Sequence, residues 1–157
     1  MAPSFEKRLE LACRLNDEFP LRAIGDRNGS PANPPWDSAI PPRLIQTAEQ
    51  DRFGRNHHTT LLDLRERNPE LSFEFWDRKR RDRYMQERWG SHPIGDLYQR
   101  AQFGVMQADL FRYCVIHDRG GFYLDINKIL IVPLRSLLHQ GCSHCGLPHE
   151  QASSVPL

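Results

Sequence analysis

"GGFYLDINKIL", residues 120–130, reads as a strand leaving a glycine turn. Strand alternation puts Phe122, Leu124 and Ile126 on one face and Tyr123, Asp125 and Asn127 on the other. The first face is suited to a core; packing alone gives no reason to place a carboxylate and an amide on the second. Two strand rises separate Asp125 from Asn127 by about 7 Å, close enough for both side chains to converge on one ion. Carboxylate and amide oxygens are hard donors. With water and phosphate oxygens they suit octahedral Mg²⁺ or Mn²⁺ better than Zn²⁺. The ordinary alternative is that Asp125 and Asn127 make a turn after the strand.

Upstream, "AQFGVMQADLFRYCVIHDRGG", residues 101–121, spreads Phe103, Val105, Met106, Leu110, Phe111, Tyr113, Cys114, Val115 and Ile116 over nearly all sides of a helix. That pattern predicts a buried helix, with Gly120 and Gly121 supplying its C-terminal turn. Asp109 and Arg112 interrupt the apolar wall three residues apart, on one face. A buried charge is costly unless paired, so the two form either a structural ion pair or the wall of a polar ligand cavity.

Further out, "IPPRLIQTA" from Ile40 predicts a first strand through Leu44 and Ile45. "TTLLDLRERNPEL" predicts a helix that starts at Thr60, with Asp63 completing a capping box, and stops at Asn68 before Pro69. "SFEFW" then alternates as a strand ending at Asp77. Strand, helix, strand in this order implies a parallel βαβ unit with a ligand site at the carboxyl ends of its strands. The basic run "RKRRDR", residues 78–83, predicts the solvated face of the next helix. "GDRNGSPANPP", residues 25–35, reads as a linker, and the stripe of Phe5, Leu9, Leu11, Cys13 and Leu15 as an amphipathic helix. The expected organisation is an N-terminal helix over 1–24, a linker over 25–39, an α/β domain over 40–138 and an irregular tail over 139–157.

Bulk properties narrow the partners. The chain has 157 residues, a formal net charge of +1, 39% hydrophobic and 26% charged residues, which fits one globular domain without a global field for nucleic acid. Only three of its 21 basic residues are Lys (Lys7, Lys79, Lys128). Guanidinium groups suit phosphate, although a GC-rich genome produces the same bias. No run of about 20 apolar residues exists to span a membrane, and the N-terminus lacks the apolar core of a signal peptide. A cytoplasmic protein is expected, with peripheral membrane contact still compatible. "CSHC", residues 142–145, has zinc-like spacing with His139, His144 and His149 nearby, but a second ligand pair is missing, and incidental cysteines explain it as well.

"QADLFRYCVIHDRGGFYLDINKILIVPL" resembles the central signature of glycosyltransferases with a DXD motif in a sugar-binding region. That family includes yeast initiating α-mannosyltransferases and bacterial capsular or lipopolysaccharide sugar transferases. "IPPRLIQT" and "RNPELSFEFWD" look like its opening strand and its Asn-Pro turn between helix and strand, so the resemblance covers roughly Ile40 to Leu138. It implies a GT-A-like fold and retaining transfer of a sugar from a nucleotide-diphosphate sugar to a glycan or other hydroxyl acceptor, with Mn²⁺ or Mg²⁺. By position it implies sugar hydroxyl contacts for Asp109, sugar or diphosphate contacts for Arg112, a pocket wall at Tyr123, metal ligation at Asp125 and Asn127, and a nucleotide base beside the backbone of Ile45, Gln46 and Thr47. The second acid of the motif is here Asn127, which removes one charge from the metal site. Family catalytic domains continue beyond this motif, so the chain is expected to be a fragment. The alternatives are a non-catalytic sugar-nucleotide-binding or partner-binding remnant and, further off, an interaction module built on a zinc tail.

Overall fold

Leu44 and Ile45 lie in the central strand of a parallel sheet in a computed structural model that describes residues 19–138 together with residues 4, 6, 7, 10 and 14. That strand, β2 (Arg43–Thr47), follows a short β1 (Arg22–Ala23). After it come β3 (Arg52–Phe53), α1 (Arg55–Arg67), β4 (Ser72–Trp76), α2 (Arg78–Trp89), α3 (Pro93–Arg100), α4 (Gly104–Arg119), β5 (Phe122–Tyr123) and a 3₁₀ turn over Leu134–Leu137. β2 pairs in parallel with β4, from Arg43 opposite Ser72 to Thr47 opposite Trp76, and on its other side with β5. The sheet order β4-β2-β5 contains the expected βαβ unit. A separate antiparallel pair joins β1 to β3.

Strand alternation divides the core between two faces. Leu44, Phe73 and Phe122 face the α1 side, where Leu64, Leu71 and Leu134 pack against them. Ile45, Trp76 and Tyr123 face α2, α3 and α4 and meet Met85, Tyr98, Phe111, Cys114 and Val115. The sheet is thus covered on both sides, as parallel sheets require.

Several local expectations change. α1 begins at Arg55 behind Gly54, and Thr60 lies inside it, its hydroxyl donating to the Asn56 carbonyl at 3.0 Å. The helix does stop at Arg67. Asn68 is fully buried there, donating to the Leu64 carbonyl at 2.8 Å and accepting from the Leu134 amide at 2.6 Å. α4 is buried on one face only: Phe111, Cys114 and Val115 are enclosed, whereas Val105 and Tyr113 are 73% and 72% exposed. Its apolar residues outnumber what one sheet face can cover.

Residues 22–30, split between the expected helix and linker, are instead sewn to the sheet. Ile24 is buried with Phe53, Leu61 and Phe75. Arg27 and Phe73 exchange backbone hydrogen bonds of 2.9 and 2.7 Å, and the Asp26 carboxylate accepts from the Phe75 amide at 2.8 Å. A sequence rich in Gly, Pro and Asn cannot make a helix or a central strand, but it can cover the outer edge of β4. The rest of the expected N-terminal helix falls largely outside the described residues, and the 139–157 tail with its CSHC spacing lies wholly outside them.

The basic run at the start of α2 hides one charge. Arg81 is fully buried, donating from Nε to Tyr98 Oη at 3.0 Å and from its two terminal nitrogens to Thr47 Oγ1 at 3.1 Å and Glu49 Oε1 at 2.8 Å. Burial works against this charge, and the bonds to Glu49 and Tyr98 outweigh it, leaving the guanidinium pKa above its ordinary value. Arg81→Met should cost about 3 to 5 kcal/mol, because it strips buried partners of their bonds. Glu49→Gln should cost about 1 kcal/mol or less, since that carboxylate is half-exposed. Urea unfolding of the two variants checks the difference.

The entry to β5 depends on Gly121, with φ of +95°, where an added Cβ would sit 2.7 Å from the Arg43 carbonyl oxygen. Gly121→Ala should destabilise the fold by about 1 to 3 kcal/mol. Gly25→Ala should be nearly neutral, because nothing lies within 4 Å of the new carbon. Thermal unfolding of both proteins makes the comparison.

Candidate active site

The parallel ladder runs one residue past β5, with the Leu124 amide donating to the Ile45 carbonyl at 3.1 Å, and then the chain turns. The Lys128 amide donates to the Asp125 carbonyl at 2.9 Å, which makes Asp125–Lys128 a β-turn at the carboxyl end of the sheet. Asp125 and Asn127 therefore do not share a strand face. They occupy the first and third positions of a turn, where Asp and Asn are favoured because their side chains tolerate and support turn backbones. Asn127 is exposed.

α4 brings Asp109 and Arg112 to this turn. The Arg112 guanidinium pairs with Asp109 Oδ1 and, at 3.2 Å, with Asp125 Oδ1, while lying 4.8 Å from the centroid of the Tyr123 ring. The side chains of Asp109, Arg112 and Asp125 are 51%, 30% and 37% exposed. The two helix charges are thus neither a sealed ion pair nor isolated. They form a partly hydrated cluster with the turn. Burial, aided by the neighbouring Asp125 carboxylate and opposed by Arg112, pushes the Tyr123 phenol up to about 12, so it is neutral at any physiological pH. Arg112 Nε is buried and has no hydrogen-bond partner among the described residues, which leaves the cluster one unused donor.

The other side of the turn rests on α1. Ile126 packs against Ile24, Phe53, Leu61 and Phe75, and its carbonyl accepts from His57 Nε2 at 2.8 Å. The imidazole is tilted on Phe53 with ring centroids 4.8 Å apart. Beside it, Phe19, Gly54, Arg55, Asn56 and His57 line an open cleft of about 390 Å³. Sequence reasoning missed His57, because nothing in "RNHHTT" links it to a turn 69 residues away.

The residues nominated on β2 are less available. Ile45 is in the core and its carbonyl is taken by Leu124. Thr47 donates to the Trp76 carbonyl at 2.7 Å and accepts from Arg81, and Gln46 is buried with its Nε2 unpartnered. The acid at the open end of this strand is Glu49, held by Arg81 and set against the head of α4, where a Cβ on Gly104 would come within 2.7 Å of its Oε1. Asp77 serves as the N-cap of α2, accepting from the Arg80 amide at 2.7 Å.

Among the described residues no group of three or more His, Cys, Asp or Glu could hold a metal by itself. The donor set at the turn nevertheless fits a hard cation that brings other oxygens with it. Two carboxylates against one guanidinium leave a net charge of −1, beside an exposed amide carbonyl. Because the cluster is partly hydrated, Asp109→Asn and Arg112→Gln should each change folding stability by less than about 1 kcal/mol in denaturant unfolding. A loss of several kcal/mol would mark a purely structural ion pair.

The model of the family described as "Glycosyltransferase sugar-binding region containing DXD motif" matches residues 54–144, more than half of the chain. The chain belongs to that family, and its parallel α/β sheet with helices on both faces is consistent with a GT-A-like core. The matched segment contains α1, α4 and the turn but begins after β2. No curated protein and no solved structure matches the chain. No helix among the described residues is long and apolar enough to cross a membrane.

Proposed function

We propose that this member of the glycosyltransferase sugar-binding family binds a nucleotide-diphosphate sugar together with Mn²⁺ or Mg²⁺ and transfers the sugar, with retention, to a hydroxyl of a glycan or other acceptor. The observation that carries the reading is the convergence of Asp109, Arg112, Tyr123 and Asp125 at the carboxyl end of a parallel sheet. Asp109, half-exposed, accepts hydrogen bonds from sugar hydroxyls. Arg112 donates to the sugar or the diphosphate with donors it now shares between two carboxylates. Tyr123, a neutral phenol, walls the pocket.

Asp125 and Asn127 would hold the divalent cation, which supplies positive charge where the leaving diphosphate becomes more negative. Arg112 adds a fixed charge of the same sign. In the retaining step the bond from the anomeric carbon to the β-phosphate oxygen breaks, and a bond to the acceptor oxygen forms on the same face. The acceptor proton passes to the departing phosphate. Asn127 in place of a second acid favours a second reading, in which the chain binds the sugar nucleotide without turning it over.

Calorimetry with UDP and GDP tests the binding step. Mn²⁺ should strengthen nucleoside diphosphate affinity at least tenfold, about 1.4 kcal/mol, and Asp125→Ala should abolish the gain. Asn127→Asp should tighten the metal further by restoring a charged ligand. Equal affinity in Mn²⁺ and in EDTA would reject the metal role.

A further inference from the structure

The turn Asp125–Lys128 can rearrange at its middle. A β-turn changes between types I and II by flipping the peptide between its two central residues, with little movement elsewhere. Here that peptide joins Ile126 to Asn127, and Asn tolerates the positive φ that the flip demands of it. The flip would rotate the backbone that carries the Asn127 side chain. Asn127 is exposed, and among the described residues its side chain makes no hydrogen bond, so the direction in which its Cα–Cβ bond leaves the chain is set by the backbone.

Among the described residues one side chain bonds to that peptide directly. The Ile126 carbonyl, which belongs to the flipping unit, accepts from His57 Nε2 at 2.8 Å. Arg112 grips the turn only through Asp125, and the Ile126 side chain anchors it only through apolar contact. The imidazole is itself braced on Phe53 and sits in the first turn of α1, a rigid element packed on the sheet. An apolar ring in its place would fill the same space and leave the carbonyl free.

We propose that His57 is a positioning residue that locks the Ile126–Asn127 peptide, so that Asp125 and Asn127 present their oxygens to one cation. The inference rests on the reading of the turn as a metal and nucleotide site. Its action is on geometry, through its bond to the Ile126 carbonyl.

Two substitutions in the whole chain separate the hydrogen bond from the packing. His57→Phe keeps a ring against Phe53 and removes the donor; His57→Gln loses the ring and keeps an N–H of similar reach. Calorimetry with Mn²⁺ in the presence of UDP or GDP should give an affinity at least fivefold weaker for His57→Phe and near wild type for His57→Gln, with diphosphate binding in EDTA unchanged in both. Amide NMR without any ligand should show exchange broadening at Asn127 and Lys128 in His57→Phe alone. Unaltered spectra and Mn²⁺ affinity in His57→Phe, or equal defects in both variants, would overturn the assignment. If the wild type shows no Mn²⁺-dependent binding, the functional reading falls, and the NMR comparison still decides whether His57 holds the turn.

Discussion

Everything at the carboxyl end of the sheet depends on where β2 stops. Leu44 and Ile45 are enclosed from opposite faces, and the strand is hydrogen-bonded on both sides, so its position admits no slack. A one-residue slip would send Ile45 toward α1 and Leu44 toward α4, exchanging the two cores. β5 inherits that register through the Ile45 carbonyl, and the Asp125 turn follows at once. The turn thus has its height above the sheet set by a bond made inside the core.

The buried Arg81 secures the same end from below. Its three side-chain partners lie on β2 (Thr47), the loop beyond it (Glu49) and α3 (Tyr98), and Tyr98 passes the chain of bonds on to Asp82 at 2.6 Å. An unpaired guanidinium at that depth would cost several kcal/mol, whereas one with its donors engaged can fix the relative placement of three elements. Glu49 carries the constraint onward. It reaches the head of α4, which has no side-chain N-cap and no acid in its first turn. A carboxylate at that end complements the helix dipole and steadies the helix that displays Asp109 and Arg112.

The legible part of this architecture was the part written in local pattern. β4 and the stop at Asn68 follow from alternation and from the restriction before proline, and the grouping of Asp109, Arg112, Tyr123 and Asp125 was implied by the family resemblance of the helix and the GGFYLD segment. What stayed hidden needed partners far away in sequence. Arg81 looks like its four solvated neighbours until Tyr98, Thr47 and Glu49 are folded around it. Residues 25–30 read as a linker because their role, covering an edge, leaves no periodicity. The strand pattern through Asn127 misled for a related reason: alternation continues in the sequence after the chain has turned away from β2 at Leu124, and Asp125 and Asn127 obey turn chemistry there.

The substitution of Asn127 acquires a physical sense from Arg112. In the cation-free protein Arg112 already bridges Asp109 and Asp125, doing with its guanidinium part of what a metal would do for their repulsion. A third carboxylate at position 127 would raise the negative excess of the empty cluster from one to two charges and lengthen the list of groups competing for one arginine. The amide avoids that cost and keeps an oxygen for coordination. The cluster then draws a free cation more weakly, because Asp125 must be shared with Arg112. A diphosphate would change that balance: its oxygens would supply the charge that Asn127 lacks and offer Arg112 another partner, which would free Asp125. Under the proposed function metal and nucleotide would bind as a unit, each improving the other's affinity by the same factor.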